Sequence, residues 1–262
     1  KAYFDTFDWE NSMVLAHNTM FDGAILTWCF DIYPRLYADT LCMARALHGI
    51  EVSGSLKALS EHYEIGIKGT EIVNALGKRR VDFNTEELDR YGDYCVNDVE
   101  LTYKLFNIFL KAGFPKQELR VVDLTLRMFT DPVLELDTKL LEEHKEGIRE
   151  YKDALLAKSG IDKKDLMSNP KFAEIIKNLG AIPPTKISPT TGKETWAFAK
   201  SDEGFKKLLE HENKQVRNAV EARLGTKSTL EETRTQRFID IAGRGTLPVP
   251  VRYYAAHTGR WG

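Results

Sequence analysis

Cysteine is scarce in this chain and never paired. The 262 residues hold three, Cys29, Cys42 and Cys95, with no C-x-x-C spacing among them. That excludes a disulfide framework and a thiolate zinc site, and predicts three buried thiols in a reducing compartment. The six histidines are scattered as well. No apolar run approaches the ~20 residues that a membrane-spanning helix requires. The opening, KAYFDTFDWE, lacks the continuous apolar core of a signal peptide. A cytoplasmic protein with no membrane partner is therefore expected. The one string that hints at a phosphate-binding loop, TGKE from Thr191, has Ile187 where that loop needs Gly and no Ser or Thr after Lys193, so it is not one. Repeats and low-complexity tails are also missing.

Hydrophobic residues make up 42% of the chain and charged residues 29%, enough for one large core or two modest ones. The net charge of −2 hides an asymmetry. Residues 1–150 hold 17 Lys and Arg against 26 Asp and Glu, and residues 151–262 hold 20 against 13. An acidic first half and a basic second half suggest two domains with different work. Basic surface is what a phosphate backbone attracts.

Along the chain, MVLAH (13–17) reads as a short buried strand running into a turn. MFDGAILTWCF has helical spacing and LKALSEHY (56–63) reads as a short helix. IGIKGTEIVNALGKRR is broken by Gly66, Gly69 and Gly77 and reads as loop and short elements. From Thr85, with Glu86 and Glu87 as capping support, one long helix is predicted to run to the stop signal at Gly113 and Pro115. Charged helices follow, then a Pro/Thr-rich loop at 181–195. Another long helical stretch comes next, and the end, GTLPVPVRYYAAHTGRWG, is extended with a Thr-Gly turn.

Two places put polar groups where packing does not ask for them. In the long helix, Tyr94 and Asp98 stand one turn apart on a single face. At the carboxyl end of the first strand come His17 and Asn18, then Asp22 in the first turn of the following helix. A carboxylate there either caps the helix and offsets its dipole or belongs to a site outside the strand ends. Phe21 is expected to pack into the core and hold Asp22 rigid.

Asn18-Thr-Met-Phe21-Asp22 followed by Tyr94-Cys-Val-Asn-Asp98 resembles the second and third motifs of the 3′–5′ proofreading exonucleases, and ADTLCMARAL and GSLKALSEHY between them resemble that family too. The resemblance implies a ribonuclease-H-like α/β fold. It implies two-metal hydrolysis of the last phosphodiester with Mg²⁺, or Mn²⁺ in its place, on Asp22 and Asp98. Tyr94 would orient the attacking water, with Asn18 and Phe21 against a single-stranded 3′ end. Hard carboxylate oxygens suit Mg²⁺, and two close ions can clamp the attacking and leaving oxygens. The family's first motif is D-x-E on an earlier strand. Asp8-Trp9-Glu10 matches the string, but only 14 positions separate Asp8 from Asp22, too few for a strand, a hairpin and a further strand. FDTFDWENS is expected to be a loop, and the metal site to be half absent from this chain.

VEARLGTKSTLEETRTQRF and YYAAHTGRWG then resemble the DNA polymerase I family (family A), in particular its phage-type members, as does the stretch from Lys186 to His211. This wider resemblance implies that Arg223, Lys227, Ser228 and Thr229 belong to a thumb that holds primer–template duplex. Thr258-Gly259-Arg260 would mark the beginning of the palm, with Arg260 near the primer end. The implied division is a partial exonuclease domain at 1–114, linker and thumb at 115–246, and the first palm residues at 247–262. The setting would be the cytoplasm of a bacterial or phage-infected cell. As given, the chain is expected to be catalytically silent, because palm carboxylates and the D-x-E strand would lie outside it. Two other readings share some motifs. A stand-alone ribonuclease-D-like exonuclease should not carry KST and TGRW, and a non-catalytic DNA-binding module should have lost Asp22, Tyr94 or Asp98.

Overall fold

A computed structural model of the chain describes residues 2–70, 75–256 and 258–262. It has two compact units. The first comprises Lys1–Leu134 together with Thr246–Gly262, and the second is Glu135–Gly245. The packing boundary thus falls near residue 134 rather than at the expected 114, and the last segment returns to the first unit. Counted over these units the charge asymmetry narrows. Glu135–Gly245 carries 21 basic against 19 acidic side chains, and the remainder 16 against 20. Residues 135–150, an acidic stretch, belong to the second unit and offset its basic charge.

The first unit is α/β. Strand β1 (Met13–Ala16) pairs in parallel with β2 (Leu36–Asp39), Met13 opposite Leu36 and Ala16 opposite Asp39. Helix α1 (Thr19–Ala24) and a π-turn (Ile25–Cys29) form the crossover. Helices α2 (Thr40–His48), α3 (Leu56–His62), α4 (Thr85–Lys111) and α5 (Lys116–Thr130) follow. Their core gathers Tyr37, Met43, Leu59, Leu101, Leu105, Phe109, Val122 and Leu126, and Tyr253 from the returning segment. Helix α4 starts at Thr85 as expected, but Thr85 is not its cap. The N-cap is Asn84, whose Oδ1 accepts from the Glu87 amide at 2.9 Å while Glu87 Oε2 accepts from the Asn84 amide at 2.9 Å, a reciprocal capping box. The returning segment is held by the Leu134–Leu247 bridge and by the Val249 amide donating to Met128 O at 2.9 Å.

FDTFDWENS forms two short 3₁₀ turns, Phe4–Thr6 and Trp9–Asn11, and no strand. Of the three thiols only Cys42 is buried; Cys29 and Cys95 are exposed, because each falls on the outer side of its helical turn. Residues 71–74 of the Gly-broken stretch lie outside the described residues, as does His257 beside the Thr-Gly turn.

The second unit is mostly helical: α6 (Thr138–Ser159), α7 (Lys163–Met167), α8 (Asn169–Asn178), α9 (Glu203–Lys207), α10 (Lys214–Lys227) and α11 (Leu230–Ala242). The Pro/Thr-rich loop contains a small hairpin, β3 (Thr185–Ile187) antiparallel to β4 (Glu194–Trp196). The last helical stretch is two helices broken at Ser228 and Thr229. Helices α6 and α10 pack so closely that a Cβ on Gly225 would come within 2.3 Å of Leu155 Cδ1.

The centre of this unit corrects one expectation. Arg223 was placed beside Lys227 on a DNA-facing surface, but it is 0% exposed. Its guanidinium donates to Leu166 O and Asn169 Oδ1 and lies 4.4 Å from the Phe172 ring centre and 4.9 Å from that of Phe198. No described carboxylate pairs with it and Nε has no partner. Burial holds its pKa down at about 10. The reason is local: Ala219, Val220, Ala222 and Thr226 on the same helix are buried, so position 223 falls inside. A planar cation between two aromatic faces is stabilised by their quadrupoles. Arg223→Ala should therefore cost about 3–5 kcal/mol through the cavity and two orphaned acceptors, and Arg223→Met, which keeps the stem, should cost less. Urea unfolding with hydrogen exchange across α10 checks both.

Candidate active site

The site is built on the turn after β1. Asn18 adopts the left-handed conformation, φ 74° and ψ 51°, which Asn tolerates better than most residues. What holds the turn is Asp39 at the end of β2, itself buried. Its Oδ1 accepts from the Asn18 amide at 2.9 Å and the Leu41 amide at 2.8 Å, and its Oδ2 from the Thr19 amide at 3.2 Å. One carboxylate thus caps α2 and fixes the start of α1. His17 is equally tied: Nε2 donates to Gly54 O at 2.9 Å, leaving Nδ1 to accept from the Thr40 hydroxyl at 2.9 Å. Burial lowers its pKa, against the pull of Asp39. It is a neutral structural histidine.

Asp22 and Asp98 line one cleft of about 850 Å³, together with His17, Asn18, Arg45 and Lys68. Asp8 and Glu10 are not among its lining residues. Burial raises the Asp22 pKa, with a further push from Asp39 and opposition from its own backbone amide. Phe21 does not pack into the core. It is 64% exposed and borders an apolar groove with Met20, Ile25, Trp28 and Phe129. Asp22 is instead steadied by its neighbour Gly23, where a Cβ would meet Thr130 Cγ2 at 3.0 Å and Tyr37 at 3.1 Å.

On α4, the inward stripe is Leu101, Thr102, Leu105, Phe106 and Phe109. Val96, Val99 and Tyr103 form a second, exposed stripe. Tyr94 and Asp98 share a partner that the motif reading missed. Lys68 Nζ donates to Asp98 Oδ2 and to Tyr94 Oη, the latter at 2.6 Å, and lies 4.6 Å from the Tyr94 ring centre. Burial opposes the Lys68 charge, but the hydrogen bonds to Asp98 and Tyr94 outweigh it and raise the pKa. Burial also raises the Tyr94 hydroxyl above its ordinary value, so it stays protonated at neutral pH. The sequence signal for Lys68 was its position between two glycines in a loop that no packing pattern explains.

Among the described residues, no three His, Cys, Asp or Glu side chains converge to hold a metal ion. Asp22 and Asp98 face one cleft, and Asp98 Oδ1 is buried without a partner, which is the hard oxygen chemistry a divalent cation takes. These two carboxylates fit a single, loosely held cation and not a two-ion set.

In the second unit, Lys227, Ser228 and Thr229 are exposed at the break between α10 and α11. Arg260, in the first unit, is exposed, its Nε donating to Thr258 Oγ1 at 3.1 Å. No helix among the described residues is long and apolar enough to cross a membrane.

No curated protein matches the chain. Residues 5–113 match the family model of a 3′–5′ exonuclease. Residues 5–113 are thus similar to 3′–5′ exonuclease domains of the DNA polymerase A type.

The raised Asp22 pKa fixes a pH dependence. The folded state holds this proton more tightly than the unfolded chain, so the associated stability is fully present below the ordinary value of 3.8 and is lost as pH rises through the folded pKa. Asp22→Asn should stabilise the metal-free protein at pH 7, and the gain should vanish near pH 3. Thermal unfolding in EDTA at the two pH values measures it.

Proposed function

We propose that the first unit removes 3′-terminal nucleotides from single-stranded DNA, as the proofreading part of a replicative polymerase. The carrying observation is that Asp22 and Asp98 line one cleft, with Tyr94 and Asp98 sharing Lys68 as donor, inside the segment that matches the exonuclease family. Asp22 and Asp98 would hold a divalent cation, Mg²⁺ or Mn²⁺, which when bound supplies charge stabilisation at a phosphodiester oxygen. Tyr94 keeps its proton and orients a water by hydrogen bonding. Asn18 lines the cleft, and exposed Phe21 offers a ring face on which a terminal base can stack. The KST and TGRW strings at residues 227–229 and 258–261 favour this reading over a ribonuclease-D-like enzyme, which should lack them. Release of 3′-terminal nucleotides from labelled single-stranded DNA in Mg²⁺ tests it. In the active form, Asp98→Ala should cut the rate more than about a hundredfold and Tyr94→Phe roughly tenfold to a hundredfold through a misplaced water. Full activity of the double variant would overturn the reading.

The second unit is proposed to hold duplex DNA through exposed Lys227, Ser228 and Thr229, with Arg223 now excluded as a contact. Arg260 is proposed to meet the primer end. Log affinity should fall linearly with log salt, and Lys227→Ala should make the slope shallower by about 0.9. Fluorescence anisotropy across a salt series checks this, and an unchanged slope would remove Lys227 from the interface.

A further inference from the structure

The loop that carries Lys68 is fastened to α4 at two points just before it. Lys104 Nζ donates to Ile65 O at 3.3 Å, and Asn97 Nδ2 donates to Ile67 O at 3.0 Å. Between them, Gly66 has φ 147° and sits so close that a Cβ there would come within 3.0 Å of Leu101 Cδ2. This lacing delivers one ammonium group to Asp98 and Tyr94, with side chains only 21% and 26% exposed for Lys68 and Asp98. The loop is therefore built to keep a cation at the carboxylate. Lys68 takes one oxygen of Asp98, and the other stays buried and unpartnered. Arg45 lines the same cleft, so positive side chains and carboxylates are balanced there without any added ion.

We propose that Lys68 is a resident counter-cation of this cleft. It holds Asp98 and Tyr94 together while no divalent ion is bound, and it competes with a divalent ion for Asp98. An ammonium and a divalent cation on one carboxylate repel strongly at a few ångströms in a partly desolvated site. Binding of the ion therefore requires Lys68 to let go of Asp98, and the affinity of the cleft is set in part by this side chain. The inference rests on reading the cleft as a divalent-cation site.

The test is Mn²⁺ binding to the whole chain, followed by electron paramagnetic resonance of the free ion. Lys68→Met and Lys68→Gln remove the charge and keep a stem of similar length. Both should bind Mn²⁺ roughly tenfold or more tightly than the parent. Lys68→Arg, which keeps the charge, should stay close to the parent. Adding Asp98→Asn to Lys68→Met should erase the gain. Folding of each variant is verified by its thermal melt, and two neutral variants guard against the loss of one. If both neutral variants bind no tighter than the parent while Asp98→Asn still abolishes binding, the competition is refuted and the cation site stands. If no variant binds Mn²⁺ at millimolar concentration, the cation site and the competition are refuted together.

Discussion

The carboxylate of Asp39 is the constraint on which the first unit depends. It is buried, and its charge is balanced by three backbone amides rather than by a basic side chain. Those amides belong to both segments that leave the carboxyl ends of the two strands. One carboxylate thus sets the left-handed turn at Asn18, the first turn of α1 and the cap of α2. Such charge-assisted bonds are about twice as strong as neutral ones, and a backbone turn so fixed cannot drift. Asp22 sits four residues beyond the pinned amide, and its place in the cleft is inherited from that anchor.

Much of this was legible in the residues. The strand at MVLA and the long helix from position 85 follow from apolar period and capping chemistry, whereas Asp22 and Asp98 were brought together by the exonuclease resemblance alone, and both line one cleft. The misses share one physical cause. Periodicity says which residues lie on one face, but not which face meets the core. Val96, Val99 and Tyr103 make as good a stripe as Leu101, Leu105 and Phe109, yet only the second is covered. Arg223 failed in the opposite direction. A cation at the end of a basic helix reads as surface, and nothing local reveals two aromatic rings contributed from Phe172 and Phe198. Lys68 left only the faint signal of a lysine between two glycines, because its partner lies thirty positions away and its loop has no period.

The two buried cationic arrangements are built on different principles. Lys68 faces a carboxylate and a phenol, keeps some exposure and can exchange partners. Arg223 faces a carbonyl, an amide and two ring faces, with no anion to neutralise it, so its charge is spread over dipoles and quadrupoles. The first arrangement suits a side chain that must yield to an incoming ligand. The second suits one that stays in place at the centre of the second unit.

The return of residues 246–262 to the first unit has a consequence for folding order. The Leu134–Leu247 bridge closes a loop that contains the entire second unit, so the core position of Tyr253 cannot be filled until the intervening chain has been made. Closing a long flexible loop costs entropy that grows only with the logarithm of its length, but the search is slow when contacts are this distant. A second unit that folds first removes most of that freedom in advance. Tyr253 thus reaches its place in the core only through a loop closed over the 111 intervening residues of Glu135–Gly245, a local-looking contact made at long range.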